Sequence, residues 1–167
     1  MPDMRDAMRG AGFRGARPQG NRGGGPRSGD AGERGRVENP FPPDYPKYFN
    51  GEGHTRVELI KNQAEKIAAR FESDGLKRHQ LRAFYDHAKR QLQRLAYGVP
   101  FGEVHPEIAR LKAFAADRAG RANNPIPASF KQFIDHNVDA VNDETSFKKG
   151  FMPHFEAVVA YCARIKD

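Results

Sequence analysis

Residues 76–97, LKRHQLRAFYDHAKRQLQRLAY, decide the fold because they combine an apolar seam with a row of cations. At about 100° per residue, the apolar side chains of this stretch fall within an arc of roughly 100°. They are Leu81, Phe84, Tyr85, Ala88, Leu92 and Leu95. Arg78, Arg82 and Lys89 fall within roughly 40° of one another beside that arc. The stretch therefore predicts an amphipathic helix with a short basic row, which suits either a phosphate backbone or an ordinary solvated surface.

Four further stretches have helical periodicity, and no stretch alternates as a half-buried strand would. Thr55 and Glu58 have the spacing of a capping box at the start of the first helix. In the last helix, Pro153 cannot donate to the carbonyl of Lys149 and is expected to bend it. The predicted helices are 55–72, 76–97, one with Pro106 in its first turn after the loop VPFGEV, 128–142 and 144–166. The pattern predicts an all-α fold, a small bundle of about five helices.

Two compositional blocks divide the chain. Residues 1–39 contain ten Gly and eight Arg with few apolar side chains, so we expect a disordered tail. Its Arg-Gly pairs are typical of tails that bind polyanions loosely, and equally of a solubilising linker. Residues 40–53, PFPPDYPKYFNGEG, are too apolar for a free linker and are expected to lie across the helices. Residues 40–167 are therefore the predicted helical domain.

Composition excludes several classes of protein. The formal net charge is +7, which favours acidic partners. Cys162 is the single cysteine, so no internal disulfide is possible, and its place on an apolar stripe indicates a small core residue. No apolar run approaches the roughly 20 residues that span a bilayer, and no secretory signal is recognised. We expect a cytoplasmic protein without a membrane partner.

Catalytic and metal-binding motifs are not found in the sequence. His79 and His87 lie eight residues apart, too far for joint metal ligation by spacing alone. There is no HExxH, CxxC, GxSxG or phosphate-binding glycine loop, and the scattered carboxylates form no recognisable pair. The carboxylates considered are Asp86, Asp117, Asp135, Asp139 and Asp143. We therefore expect no enzyme, no cofactor and no metal.

Several segments, taken together and in order, resemble the small subunit of type III-A CRISPR effector ribonucleoproteins, the Csm complexes. They are DYPKYFNGEGHTRVELIKNQAEKIAARF at 44–71, QLRAFYDHAKR at 80–90, LKAFAADRAGR at 111–121, FKQFIDHNVDAV at 130–141 and FEAVVAY at 155–161. The resemblance covers about 40–167 and leaves out the Gly/Arg-rich tail.

This resemblance implies a non-catalytic subunit that stacks in several copies along the duplex of guide RNA and target RNA. Its partners would be both RNA strands, the other effector subunits and further copies of itself, and the role would be antiviral defence. The resemblance carries over Arg82, Lys112 and Arg121 as phosphate contacts. The charged helix faces add Arg78, Lys89, Arg118 and Lys131. The prediction requires Arg82, Lys112 and Arg121 to share one basic face and not to be neutralised in ion pairs.

Two alternatives come from other classes of protein. The first is a stand-alone nucleic-acid-binding protein whose Arg-Gly tail supplies most of the affinity. The second is a His-dependent ribonuclease that assembles His and Lys from distant positions, which sequence alone does not test.

Overall fold

The structure is a computed structural model that describes residues 38–167. Within this range the chain is helical, and its only β feature is an isolated antiparallel bridge between Phe49 and Thr55. The helices are α1 (Val57–Ile60), α2 (Asn62–Ser73), α3 (Arg78–Ala96), α4 (Phe101–Ala119), α5 (Ala128–Ala140), a π-helix (Ser146–Phe151), α6 (Met152–Tyr161) and a 3-10 turn (Cys162–Arg164). The predicted all-α fold is confirmed. The predicted disorder of residues 1–39 concerns residues that lie, up to Val37, outside the described part of the chain.

The start of the first helix differs from the prediction. The helix begins at Val57, and the capping box of Thr55 and Glu58 is wrong because Thr55 has another partner. The Thr55 hydroxyl donates to the carbonyl of Lys149 at 2.6 Å. In an α-helix this carbonyl would accept from residue 153, but Pro153 has no N–H, so the Thr55 hydroxyl supplies a donor from elsewhere in the chain. The predicted helix 55–72 is also interrupted at Lys61, whose backbone leaves the helical region at φ −99° and ψ −103°.

α4 is longer than predicted at its N-terminus. It begins at Phe101, so most of the predicted VPFGEV loop is helical and Pro106 lies inside the helix. The ring of Phe101 stacks on His105 with centroids 4.8 Å apart, and His105 Nε2 lies 3.0 Å from the Val141 carbonyl oxygen. These contacts stabilise a turn that the proline alone would not favour.

The last predicted helix, 144–166, is three elements in the structure: the π-helix, α6 and the 3-10 turn. A Cβ added at Gly150 in the π-helix would meet ring atoms of Tyr48 at 2.5 Å. Only glycine therefore allows the N-terminal arm to approach this closely.

A continuous core of aromatic rings joins the helices. Phe133 and Phe155 pack with ring centroids 5.2 Å apart, and Phe71 meets Phe130 edge to face at 5.2 Å. The fully buried phenylalanines are Phe71, Phe130, Phe133, Phe147, Phe151 and Phe155. Cys162 is also buried, as predicted, and burial raises the pKa of its thiol to about 12.

The arm before α1 lies across these helices, which confirms the expectation for residues 40–53. Tyr45 and Tyr48 of the arm and Asn137 and His154 beneath it are buried and form the arm seam. Asn137 Nδ2 donates to Tyr45 Oη at 2.8 Å, and Tyr48 Oη donates to Asn137 Oδ1 at 2.8 Å. The seam continues through Tyr45 Oη to His154 Nε2 at 2.7 Å.

His154 completes the seam as a neutral side chain. Its Nδ1 lies 2.7 Å from the carbonyl oxygen of Leu59, which can only accept, so Nδ1 carries the proton and Nε2 accepts from Tyr45 Oη. Burial lowers the pKa of His154 from 6.5 to about 4. Each polar atom of this ring is therefore satisfied in the uncharged form.

Candidate nucleic-acid interface

The hairpin of α3 and α4 encloses a surface groove of about 430 Å³, here called the α3–α4 groove. Buried Phe84 and Leu111 contribute its apolar floor. Polar and aromatic side chains one helical turn apart line its walls because positions three or four apart share a helix face. The lining residues are Ala83, Phe84, His87, Arg90, Leu111, Phe114, Asp117, Arg118 and Arg121.

The electrostatics of the groove are dominated by arginine. Three arginines line the groove. Arg121 Nη2 lies 2.7 Å from Asp117 Oδ2, so the charge of this one guanidinium group is neutralised locally. Within residues 38–167, neither the Arg90 side chain nor the Arg118 side chain makes a hydrogen bond or an ion pair. The groove therefore presents two guanidinium groups whose donors have no partner in the part of the chain that the structure describes.

A second hollow extends this basic surface towards the C-terminus of α3. It shares His87 and Arg90 with the groove and adds Arg94 and Tyr97. Arg94 Nη1 donates to Gln91 Oε1 at 3.0 Å, whereas Tyr97 is 89% exposed. Cations and the exposed ring of Tyr97 thus occur together on this side of the hairpin, beside the carboxylate of Glu107. Surfaces that bind single-stranded nucleic acid combine cations and aromatic rings in this way.

The cations that the sequence predicted on α3 lie on its other flank. Lys89 Nζ is 5.4 Å from the ring centroid of Tyr85, and that ring packs edge-on against Phe155 of α6 at 5.4 Å. Arg78 and Arg82 share this edge of α3 by helical spacing. These three residues form a row on the α6 side of α3, whereas Arg90 lies on the α4 side.

Lys112 and Lys131 occur together in a charge cluster between α4 and α5. Lys112 Nζ contacts both carboxylate oxygens of Asp139, at 2.7 and 2.8 Å, and Lys131 Nζ lies 2.5 Å from Asp135 Oδ2. The hydrogen bond that Lys112 donates to Asp139 raises the pKa of Lys112. This α4–α5 charge cluster contains as many carboxylates as ammonium groups. Its pairs are partly exposed, so a strong competing anion can still exchange with the carboxylates.

The structure thus distributes the seven predicted cations over three places. Arg118 and Arg121 line the groove, Lys112 and Lys131 lie in the charge cluster, and the other three form the α3 row. Arg82, Lys112 and Arg121 therefore do not share the single basic face that the sequence prediction required. Lys112 and Arg121 also make ion pairs, with partners that are more than half exposed. Their roles in RNA binding stay predictions.

Sequence reasoning missed Arg90 and Phe114. Arg90 lies about 100° around α3 from Lys89, outside the row that the spacing singled out. Only the position of α4 shows that this side of the helix faces further arginines. A helical wheel that combined α3 and α4 as a hairpin is the one sequence signal that could have found it.

The histidines of the described chain do not form a metal site. His87 Nε2 lies 2.8 Å from the carbonyl oxygen of Glu107, and His79 Nδ1 lies 3.1 Å from Asp167 Oδ1. Among residues 38–167, no group of three or more His, Cys, Asp or Glu side chains could hold a metal ion. In the same range no helix has the length and apolar character needed to cross a bilayer.

Comparison with protein families identifies the group to which the chain is related. The family model described as Csm2 Type III-A matches residues 54–166. The chain belongs to this family. The match covers every helix of the structure and both walls of the α3–α4 groove, and it begins just after the arm.

Membership in the Csm2 family makes the chain a small subunit of the type III-A Csm effector complex, with the other Csm subunits as its partners. The resemblance noted in the sequence is thereby confirmed. No curated protein and no solved structure matches the chain.

Proposed function

We propose that this Csm2-family subunit binds RNA without catalysis, contacting phosphates of the guide–target duplex through the α3–α4 groove. The observation that carries the proposal is the pair of arginines, Arg90 and Arg118, that lack a partner within residues 38–167 beside a shaped hollow. A guanidinium group offers several fixed donors that match phosphate oxygens, and it stays charged at any physiological pH.

Phosphate contacts suit the position that the family resemblance implies. They fix the register of a protein on a nucleic acid without reading its sequence. In an effector whose specificity comes from base pairing with a guide, a subunit that stacks along the duplex needs this sequence-independent grip. Copies of the subunit would associate along the complex, which light scattering on the assembled particle would test.

The three groups of cations are expected to contribute unequally. Arg90 and Arg118 contribute most because they line the same groove and no carboxylate of the described chain has to be displaced before they bind phosphate. Arg78, Arg82 and Lys89 extend the basic surface along the other flank of α3. Arg121, Lys112 and Lys131 contribute less, since each must first exchange a carboxylate for a phosphate.

The test is a comparison of two double variants of the full chain. Arg90→Gln with Arg118→Gln removes two unpartnered cations, and Lys112→Gln with Lys131→Gln removes two paired ones. Binding to labelled duplex RNA is measured by fluorescence anisotropy over a series of salt concentrations. The groove variant should bind about tenfold more weakly, with the salt slope reduced by about 1.8 for two lost duplex contacts.

The lysine variant is the matched control and should lose less than about threefold, because its charges are already balanced. Equal losses in the two variants would contradict the groove as the main contact. Gel analysis of the same RNA after incubation tests the absence of catalysis, since a ribonuclease would shorten it. Deleting residues 1–39 tests the tail-driven alternative, which expects most of the binding to vanish.

A further inference from the structure

Phe114 differs in exposure from the other phenylalanines of the described helices. The rings of the core are fully buried, whereas Phe114 is 44% exposed in the wall of the α3–α4 groove. A single exposed apolar side chain needs no explanation by itself. This one lies in the same hollow as Arg90 and Arg118, so an apolar ring and two unpartnered cations face the same solvent-filled space.

The ring of Phe114 is held in place by His87. The two ring centroids are 5.5 Å apart with an interplanar angle of 89°, which is an edge-to-face contact. His87 is itself fixed, because its Nε2 donates to the carbonyl oxygen of Glu107 at 2.8 Å. In an edge-to-face pair, at least one face of the Phe114 ring is left uncovered by His87. A rigid aromatic face is thus available inside a basic groove.

The dimensions and charge of the groove fit one nucleotide. Its volume of about 430 Å³ lies within the roughly 300–1,000 Å³ that small-ligand sites occupy. Arg118 follows Phe114 by one helical turn, so its guanidinium projects from the same side of α4. A base stacked on the Phe114 ring would carry its phosphate close to Arg118 on one wall and Arg90 on the other.

We propose that the α3–α4 groove holds one unpaired RNA nucleotide, its base stacked on Phe114 and its phosphate bound by Arg90 and Arg118. This inference rests on the proposed RNA-binding function and adds a base contact to it. The bases of a continuous duplex are stacked on each other and cannot reach the ring. The groove therefore prefers an RNA strand that has a nucleotide outside a helix, and the preference depends on the ring rather than on the charge.

The experiment uses the full chain and the variant Phe114→Leu, which removes the ring and keeps an apolar side chain. Tyr161→Leu is the matched control, because Tyr161 is also 44% exposed but lies at the end of α6 and not in the groove. The probe is a 12-nucleotide single-stranded RNA that contains 2-aminopurine. Its anisotropy reports affinity, and its fluorescence reports stacking because a stacked 2-aminopurine is quenched.

The expected result is that Phe114→Leu binds the single strand about 5- to 20-fold more weakly and loses the quenching, as removal of a stacking ring predicts. Tyr161→Leu should behave as the original chain, and Phe114→Tyr should retain both binding and quenching. A blunt duplex of the same sequence should bind Phe114→Leu within about twofold of the original chain. Thermal melting of each variant confirms that the fold is retained.

Two outcomes separate the inference from the function on which it rests. If Phe114→Leu binds and quenches the single strand as the original chain does, or weakens duplex and single strand equally, the stacking site is wrong and RNA binding stands. If the original chain binds neither RNA, the proposed function and the stacking site both fail.

Discussion

The arm seam and the α3–α4 groove both bring polar side chains together, but the two regions differ in the burial and the hydrogen bonding of those side chains. In the seam, Asn137 and His154 are fully buried and their side chains bond to neighbours from the arm, α1 and α5. In the groove, Arg90 is exposed and Arg118 is partly exposed, and neither side chain makes a hydrogen bond or an ion pair within residues 38–167.

The difference teaches which residues serve the fold and which are free to serve a ligand. A buried polar group without a partner destabilises the folded state, so the seam is specified down to single hydrogen bonds. A solvated guanidinium group without a partner costs nothing, since water satisfies its donors. Changes in the seam should therefore alter stability and leave RNA affinity unchanged, and changes in the groove should do the reverse.

The largest expected effect is the loss of stability in acid that His154 causes. Its pKa is about 4 in the folded chain against 6.5 for an ordinary histidine, so the unfolded chain binds the extra proton first. Stability should fall as the pH drops from 6.5 to about 4, by about 3 kcal/mol in total. Urea unfolding between pH 7 and pH 4 measures this slope.

The variants for this prediction are His154→Gln and His136→Gln. His136 is the matched control because it is exposed and its ring packs against the same Tyr45, with centroids 5.6 Å apart. His154→Gln should be less stable at pH 7 and should lose the steep part of the pH dependence. A slope that is unchanged in His154→Gln and reduced in His136→Gln would contradict the assignment.

The next effect tests the close approach of the arm to the π-helix. Gly150→Ala places a Cβ about 2.5 Å from the ring of Tyr48, which is buried and hydrogen-bonded to Asn137. Overpacking of this kind should lower the free energy of unfolding by about 2 kcal/mol, measured by urea unfolding. RNA affinity of the folded fraction should not change.

Gly102→Ala is the control for this substitution. Gly102 also lies in a helix, and nothing stands within 4 Å of a Cβ added there. Its stability should stay the same or rise by up to about 1 kcal/mol, because alanine favours the helix. Equal destabilisation at both glycines would mean that the Tyr48 contact does not limit residue 150.

The smallest expected effect concerns the α4–α5 charge cluster, whose lysines would lose their carboxylate partners and become free to bind phosphate. Asp135→Asn with Asp139→Asn removes the carboxylates that neutralise Lys131 and Lys112. RNA affinity should rise about two- to fivefold with a steeper salt dependence, whereas the free energy of unfolding should change by less than about 1 kcal/mol. Anisotropy titration measures the first quantity and urea unfolding the second.

A charge-matched control separates position from net charge. Glu52→Gln with Glu144→Gln removes the same number of carboxylates from pairs elsewhere, with His54 and Lys148. If this control raises RNA affinity as much as the aspartate variant does, net charge alone explains the gain and the cluster has no place in the interface.

Periodicity predicted the helical segments because each helix buries a face formed by apolar residues three or four positions apart in the sequence. The apolar seam of α3 is an example: Leu81, Phe84, Ala88 and Leu95 are all buried as predicted. The errors occurred where a distant residue decided the local structure. Thr55 caps no helix because its hydroxyl donates a hydrogen bond to the carbonyl of Lys149, 94 residues away.

The candidate site was predictable only in part for the same reason. The sequence identified Arg118 on one helix, Arg121 at its exit and the basic character of α3, and it placed the family correctly. It could not tell that Lys112 would meet Asp139 on α5, whereas Arg90 would meet no carboxylate of the described chain. Such pairings depend on which helix faces become neighbours.

The sequence by itself determined that the described chain is helical, which apolar faces the main helices bury and the excess of positive charge. Those properties follow from residue spacing and composition, which act locally. The tertiary structure alone decided which polar side chains are satisfied and which remain open. Ion pairs and hydrogen bonds act over a few ångströms, and only the packed chain brings residues such as Arg90, Phe114 and Arg118 around one hollow.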